Sequence, residues 1–181
     1  MTPVVTTEAE RLRALAEYNV LDSAPEEAFD DLTTLAALIC GVEMALVTIV
    51  DEHRQWFKAR RGLDLQETPR EHSFCAHAIR EPQNLMIVSD ATRDERFARN
   101  PYVTGRPNIR FYAGAPLLSH QGAALGTLCV LHHTPRQLTP EQLHALRILG
   151  RQASYLLELR RVTAALAKSA KAAANTTAIK R

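Results

Sequence analysis

A chain of 181 residues and 20.1 kDa suits one domain with a tail, and its 46% hydrophobic and 23% charged content can build a sizeable globular core. The net charge of +2 is too small to imply a polyanionic partner. The longest apolar runs, 45–50 and 123–131, fall far short of the roughly 18 residues of a membrane span, and residues 1–9 carry no signal-peptide pattern. Three widely spaced cysteines, Cys40, Cys75 and Cys129, are not a disulfide framework and fit a reducing compartment, so the cytoplasm is the expected location.

Thr7-Glu8-Ala9-Glu10 reads as a capping box opening a helix that carries Leu12, Leu15 and Ala16 and fades near Tyr18-Asn19. A second box, Ser23-Ala24-Pro25-Glu26, opens a longer helix with Phe29, Leu32, Leu35, Ala36 and Ile39 at helical spacing, and Gly41 stands where a C-terminal cap belongs. The period then changes. Residues 44–50 are apolar on both faces, as in a strand covered on both sides, and 55–60 return from a turn at 51–54 as a second strand around Trp56. From 62 to 110 regularity drops to loop, with a short helix over 75–80 and a short strand at 85–88. Residues 111–118 and 123–131 are two strong strands joined by a polar turn. Thr139-Pro140-Glu141-Gln142 is a third capping box, with proline at the first helical position. The long helix behind it buries Leu143, Leu146, Leu149, Ala153, Leu156 and Leu157, and 163–181 is a basic, alanine-rich tail expected to fray or be disordered.

The domain boundaries that follow are an extension over 1–6, one folded domain over 7–162 and the tail. Adjacent strands with short turns imply an antiparallel sheet in an α+β fold, with helices on one face. The irregular segment is the only material left for the second face, and its length suggests a functional lid over a pocket.

Three blocks carry a family resemblance: Ser73-Phe74-Cys75-Ala76-His77-Ala78-Ile79; the run from Val88-Ser89-Asp90 to Arg96-Phe97 with Asn100-Pro101; and Arg110-Phe111-Tyr112-Ala113-Gly114-Ala115-Pro116-Leu117 with Leu125-Gly126-Thr127-Leu128-Cys129-Val130. Together, over about 7–161, they resemble the GAF domains that precede histidine kinase or diguanylate cyclase modules, here expected as a stand-alone chain. The resemblance implies a six-stranded antiparallel sheet, first and last helices on one face, a ligand pocket with short helices and loops on the other, and a role as sensor input. It does not identify a ligand. The Asn-Lys that begins the family's cyclic-nucleotide signature is absent, and 94–109 holds no cysteine for a bilin.

The expected pocket lies between the sheet and 68–110. Its polar candidates are Asp90, Arg110 and Tyr112, beside Cys75 and His77, and its apolar walls are Trp56, Phe74 and Phe97. Against this, Asp90 could simply cap the turn at Thr92, and Arg110 could be solvated. Cys75 reads better as a small buried residue than as a reactive thiolate. His72, Cys75 and His77, with Asp90 and His132-His133 as the nearest further candidates, repeat no metal-ligand spacing, so no metal and no cofactor are expected. Arg60-Arg61, Arg160-Arg161 and the tail lack aromatic interleaving and read as solvated charge, so neither nucleic acid nor membrane is an expected partner.

The leading reading is therefore a non-catalytic sensor of an unidentified small molecule. Its rival is a free methionine-(R)-sulfoxide reductase using Cys75, and a third reading is a dimerisation module with an empty pocket. A second apolar stripe on the last helix, Ile148, Gln152, Tyr155, Leu159, Val162 and Leu166, alternates spacings of four and three as a coiled-coil seam does. Position 148 lies about 140° around the helix from position 143, so one surface cannot bury both stripes. A parallel homodimer through this helix is expected, with the first helix as the alternative cover and a separate signalling output protein as a further partner.

Overall fold

The computed structural model describes residues 7–179. Helix α1 (Glu8–Tyr18) opens with the expected box: Thr7 Oγ1 accepts the Glu10 N–H at 3.3 Å and the Glu10 carboxylate accepts the Thr7 N–H at 2.8 Å. Helix α2 (Glu27–Cys40) ends at Gly41 in the left-handed region, but it does not begin with the expected box. Glu26 is its N-cap and makes no side-chain capping bond. The reason is a buried ammonium: Lys58 Nζ donates to Ser23 Oγ at 2.9 Å, the Ala24 carbonyl at 2.7 Å and Glu26 at 2.6 Å, drawing those groups away from the helix end.

One six-stranded antiparallel sheet follows, built from β1 (Met44–Val50), β2 (Arg54–Arg61), β3 (Glu67–Pro69), β4 (Met86–Val88), β5 (Phe111–Leu118) and β6 (Ala124–His132) in the order β3-β2-β1-β6-β5-β4. The irregular stretch contains β3, a 3₁₀ turn Arg70–His72, α3 (Phe74–Ala78) and α4 (Pro101–Thr104). The three-residue β3 and the four-residue α4 are too short for a periodic signal. Helix α5 (Pro140–Ile179) begins with Thr139 and Gln142 capping each other at 3.3 and 3.0 Å.

The two sheet faces carry separate cores. Helices α1, α2 and α5 cover one with Ala45, Val47, Ile49, Phe111, Leu128 and Val130 beneath them. Phe74, Cys75, Phe97 and Val103 of the segment over 62–110 cover the other, on Leu46, Phe57, Tyr112, Cys129 and Leu131. Arg11, only 5% exposed, pins α1 to the sheet end by donating to the Val50 and Ala124 carbonyls at 2.8 and 3.3 Å. The expected tail is helical through Ile179, and every described side chain beyond Arg161 is exposed. Its alanines have the highest helix propensity, and no glycine or proline interrupts 151–181, so helix persists without an apolar stripe to hold it. The extension expected over 1–6 lies outside the described residues.

Candidate functional site

Most of the pocket expected under the lid is filled by aromatic rings. Phe74 stacks on Phe97 with centroids 4.0 Å apart and on Tyr112 at 5.2 Å, while His77 meets the Phe97 ring edge-on at 4.9 Å. Stacked pairs add roughly 0.5–1.5 kcal/mol each beyond the area they bury, so the layer is held closed by more than shape. What remains is a cavity of about 30 Å³ beside the stack. Phe74, Cys75 and Tyr112 border it, together with Leu46, Gln55 and Cys129.

Phe97 and His77 belong to that stack, and the remaining expected site residues lie elsewhere. Trp56 packs on the helix-covered face, opposite Ile49, and is a correction. Strands β1 and β2 are apolar on both faces, so alternation alone could not assign its side. A bulge at Val47/Thr48 then sends both Lys58 and Ala59 to the helix side with it. Asp90 caps its own turn, accepting from the Thr92 N–H at 3.0 Å and hydroxyl at 2.6 Å, and these bonds hold its carboxyl below the usual range. Arg110 donates to the Val103 and Ile109 carbonyls at 2.8 and 3.1 Å, bracing α4 rather than facing a ligand. Phe97 is core, 1% exposed. Burial lowers the His77 pKa, helped by the Arg80 and Arg96 charges and opposed by Asp94.

At the cavity floor lies a polar chain that sequence reasoning missed. Thr127 Oγ1 and Tyr112 Oη donate to Cys75 Sγ at 3.0 and 3.3 Å, and Thr48 Oγ1 stands 3.2 Å behind Thr127. The Thr48 hydroxyl also lies within 3.4 Å of the Thr127 carbonyl, to which it donates. Burial pushes the Cys75 thiol up, but the Cys129, Thr127, Thr48 and Tyr112 donors outweigh it and bring it below the ordinary thiol range. Burial, with Cys75 alongside, drives Cys129 and Tyr112 the other way. The available signal was a lone threonine in each of two apolar runs, Thr48 and Thr127, which pair across β1 and β6.

A larger cleft, about 500 Å³, opens on the opposite layer between α5, β5 and residues 82–85. Leu85, Pro116, Leu118 and Tyr155 line it, together with the charged side chains of Arg147, Arg151 and Glu158. Among the described residues neither arginine side chain has a hydrogen-bond or ion-pair partner.

The sheet order, the helix-covered face and the lidded opposite face define an α+β domain, and the GAF domain model matches residues 24–157. The chain belongs to the GAF domain family. A cyclic di-GMP phosphodiesterase of Pseudomonas aeruginosa is 43% identical over 134 residues, which is 74% of this chain and 23% of that relative. The chain thus spans under a quarter of that protein. In fold it is similar to the GAF domain of an Acinetobacter phosphoenolpyruvate-protein phosphotransferase (TM-score 0.61, 16% identity, 85% of this chain and 96% of that one). It is similar also to the PixJ GAF domain of Thermosynechococcus elongatus (0.60, 13%, 87% and 95%). A type II free methionine-R-sulfoxide reductase of Thermoplasma acidophilum shares the fold too (0.56, 12%, 72% and 92%). Among the described residues no helix is long and apolar enough to cross a membrane.

Proposed function

We propose that this chain is a small-molecule-sensing regulatory domain without catalysis of its own, working as a parallel homodimer joined along α5. The observation that carries the reading is the division of α5 into two stripes. Leu146, Ala153 and Leu157 are at most 1% exposed against the sheet, whereas Tyr155, Leu159 and Leu166 are 63–66% exposed on the other side. Val162 is exposed with them, Gln152 is exposed, and Ile148 is half-buried. The first helix leaves this seam open, so a second copy of α5 is the natural cover. Tyr155 belongs to both the seam and the 500 Å³ cleft, so an anionic ligand drawn by Arg147 and Arg151 would act on the dimer directly.

The reductase reading is the weaker one. Cys75 is 1% exposed, and a cavity of about 30 Å³ does not admit a free amino acid. The phosphodiesterase relative supports a setting rather than an activity. A match to 23% of its length fits a regulatory segment of an enzyme acting on cyclic di-GMP, and this chain is read as the counterpart of such a segment.

Sedimentation velocity at tens of micromolar should show a dimer for the wild type and a monomer for Tyr155→Glu/Leu159→Glu, a range in which even a modest interface, about 8 kcal/mol, is populated. Native mass spectrometry of protein from its own host should show a bound small molecule. No turnover is expected of cyclic di-GMP, nor of free methionine-(R)-sulfoxide with thioredoxin, its reductase and NADPH. A monomeric wild type, or hydrolysis or NADPH oxidation above background, would sink the reading.

A further inference from the structure

Cys75 on α3 and Cys129 on β6 are 54 residues apart in sequence, and their sulfurs stand 3.8 Å apart, in van der Waals contact. Both residues are at most 1% exposed, and both border the cavity of about 30 Å³. On its outer side that cavity is lined by Leu65, 38% exposed, and His72, whose side chain is 34% exposed. A space of this size holds one or two water-sized molecules, which matches hydrogen peroxide and excludes larger oxidants. The hydroxyls of Thr127 and Tyr112 both point at Cys75, and donors of this kind favour a sulfur that carries negative charge. Cys40, the remaining cysteine, lies in the other core under the helices, where burial alone pushes its thiol up to about 11.

From this geometry we propose that Cys75 and Cys129 are a peroxide-reactive thiol pair that closes to an intramolecular disulfide, with Cys75 attacking and Cys129 resolving. The Cys75 thiolate attacks one peroxide oxygen, the O–O bond breaks, and hydroxide leaves with the electron pair, giving a sulfenic acid. Cys129 sulfur then attacks the Cys75 sulfur, and the sulfenic hydroxyl leaves and takes up the Cys129 proton as water. The two thiols lose two electrons and hydrogen peroxide gains them. A dithiol reductant returns the pair to its starting state by two thiol–disulfide exchanges. The modification bridges the lid to a central strand, so it would lock the segment around α3 against the sheet. This goes beyond the proposed sensory function and stands or falls without it.

Trypsin places the three cysteines on separate peptides, 14–54, 71–80 and 111–136, which makes the test direct. Reduced protein freed of reductant is treated with roughly one to ten equivalents of hydrogen peroxide, unfolded in N-ethylmaleimide, digested and mapped. The expected product is 71–80 linked to 111–136, a loss of two hydrogens, with 14–54 carrying maleimide at Cys40. The link should exceed any involving Cys40 by roughly tenfold and vanish on adding a dithiol. In Cys129→Ser, dimedone should trap a sulfenic acid on 71–80; in Cys75→Ser, 111–136 should stay unoxidised. Full alkylation of all three peptides after peroxide overturns the proposal, as do links to Cys40 in comparable yield. Trapping on 111–136 in Cys75→Ser overturns the assigned roles. Circular dichroism reports whether each variant folds, and the wild-type map decides the pairing even if a variant does not.

Discussion

Tyr18 at the end of α1 donates its hydroxyl to the Glu158 carboxylate on α5 at 2.8 Å, across 140 residues of sequence, and accepts the His120 backbone N–H at 3.0 Å. The ring itself is 2% exposed. Tyr18→Phe keeps the packing and removes only the hydroxyl, leaving the amide and the carboxylate each short of a partner. The expected cost is about 1–3 kcal/mol, because one bond is to a charged group. That corresponds to a fall in Tm of roughly 3–10 °C for a chain of this size. An unchanged melting curve would mean water replaces the hydroxyl without loss.

The same cluster fixes a pH dependence. Arg161 beside Glu158, opposed by burial and helped by Tyr18, holds its carboxyl at about 2, below its ordinary 4.5. A depressed carboxyl contributes stability that is complete above about 4.5 and is lost as pH falls towards 2. Glu8 behaves alike, held at about 2 by Arg11 and Arg70 against the opposing effect of burial. Tyr18 is raised from 10 to about 12, first by burial and then by Glu158, so its contribution is complete below pH 10 and lost as pH rises to 12. Thermal melts should therefore give a plateau falling away on both sides. Glu158→Gln should shallow the acid arm; an arm of undiminished steepness would assign it to other carboxyls.

Lys58 gives a contrast between two variants. Its ammonium is buried among Glu26, Ser23 and the Ala24 carbonyl, and lies 5.3 Å from the Phe29 ring centroid. Glu26→Ala strands that charge with two neutral acceptors, and since Glu26 is itself partly exposed the cost should be about 1–3 kcal/mol. Lys58→Met removes the charge, keeps the stem volume and leaves Glu26 its bond to Arg160 at 2.8 Å, so it should cost less. Urea midpoints at equal m-values rank the two, and the reverse order would show the ion pair to be dispensable.

Two glycines separate crowding from backbone strain. A Cβ at Gly126 would sit 1.8 Å from the Thr48 carbonyl oxygen, on the neighbouring strand. Gly126→Ala cannot be absorbed without parting β1 from β6, so loss of soluble folded protein, or more than about 4 kcal/mol, is expected. Gly122 turns β5 into β6 with φ of +86°, and a Cβ added there would meet nothing within 4 Å. Gly122→Ala should cost about 1 kcal/mol from the left-handed backbone alone. Similar expression and Tm for both variants would refute the steric argument at Gly126.

Sequence by itself determined what is local. The Thr7 and Thr139 caps, the glycine end of α2, the four long strands and the two stripes of α5 each follow from residues within a few positions of one another. Two of the three motif blocks supplied Phe74, Cys75 and Tyr112, and the fold brings them to the border of one small cavity. Tertiary structure decided the rest, because the deciding partners are far apart in the chain. Strands apolar on both faces cannot say which face Trp56 takes; packing under α2 does. Ser23 has the sequence of a helix cap, but Lys58, 35 residues on, claims its hydroxyl. No spacing rule brings Cys75, Thr127 and Cys129 together, since only the antiparallel register and the fold of α3 across it set their sulfur and hydroxyl contacts. The pocket itself closed for the same reason: Phe74 and Phe97 read singly as walls and Tyr112 as a polar group beside them, but three rings converging from three segments stack on one another and fill the space between.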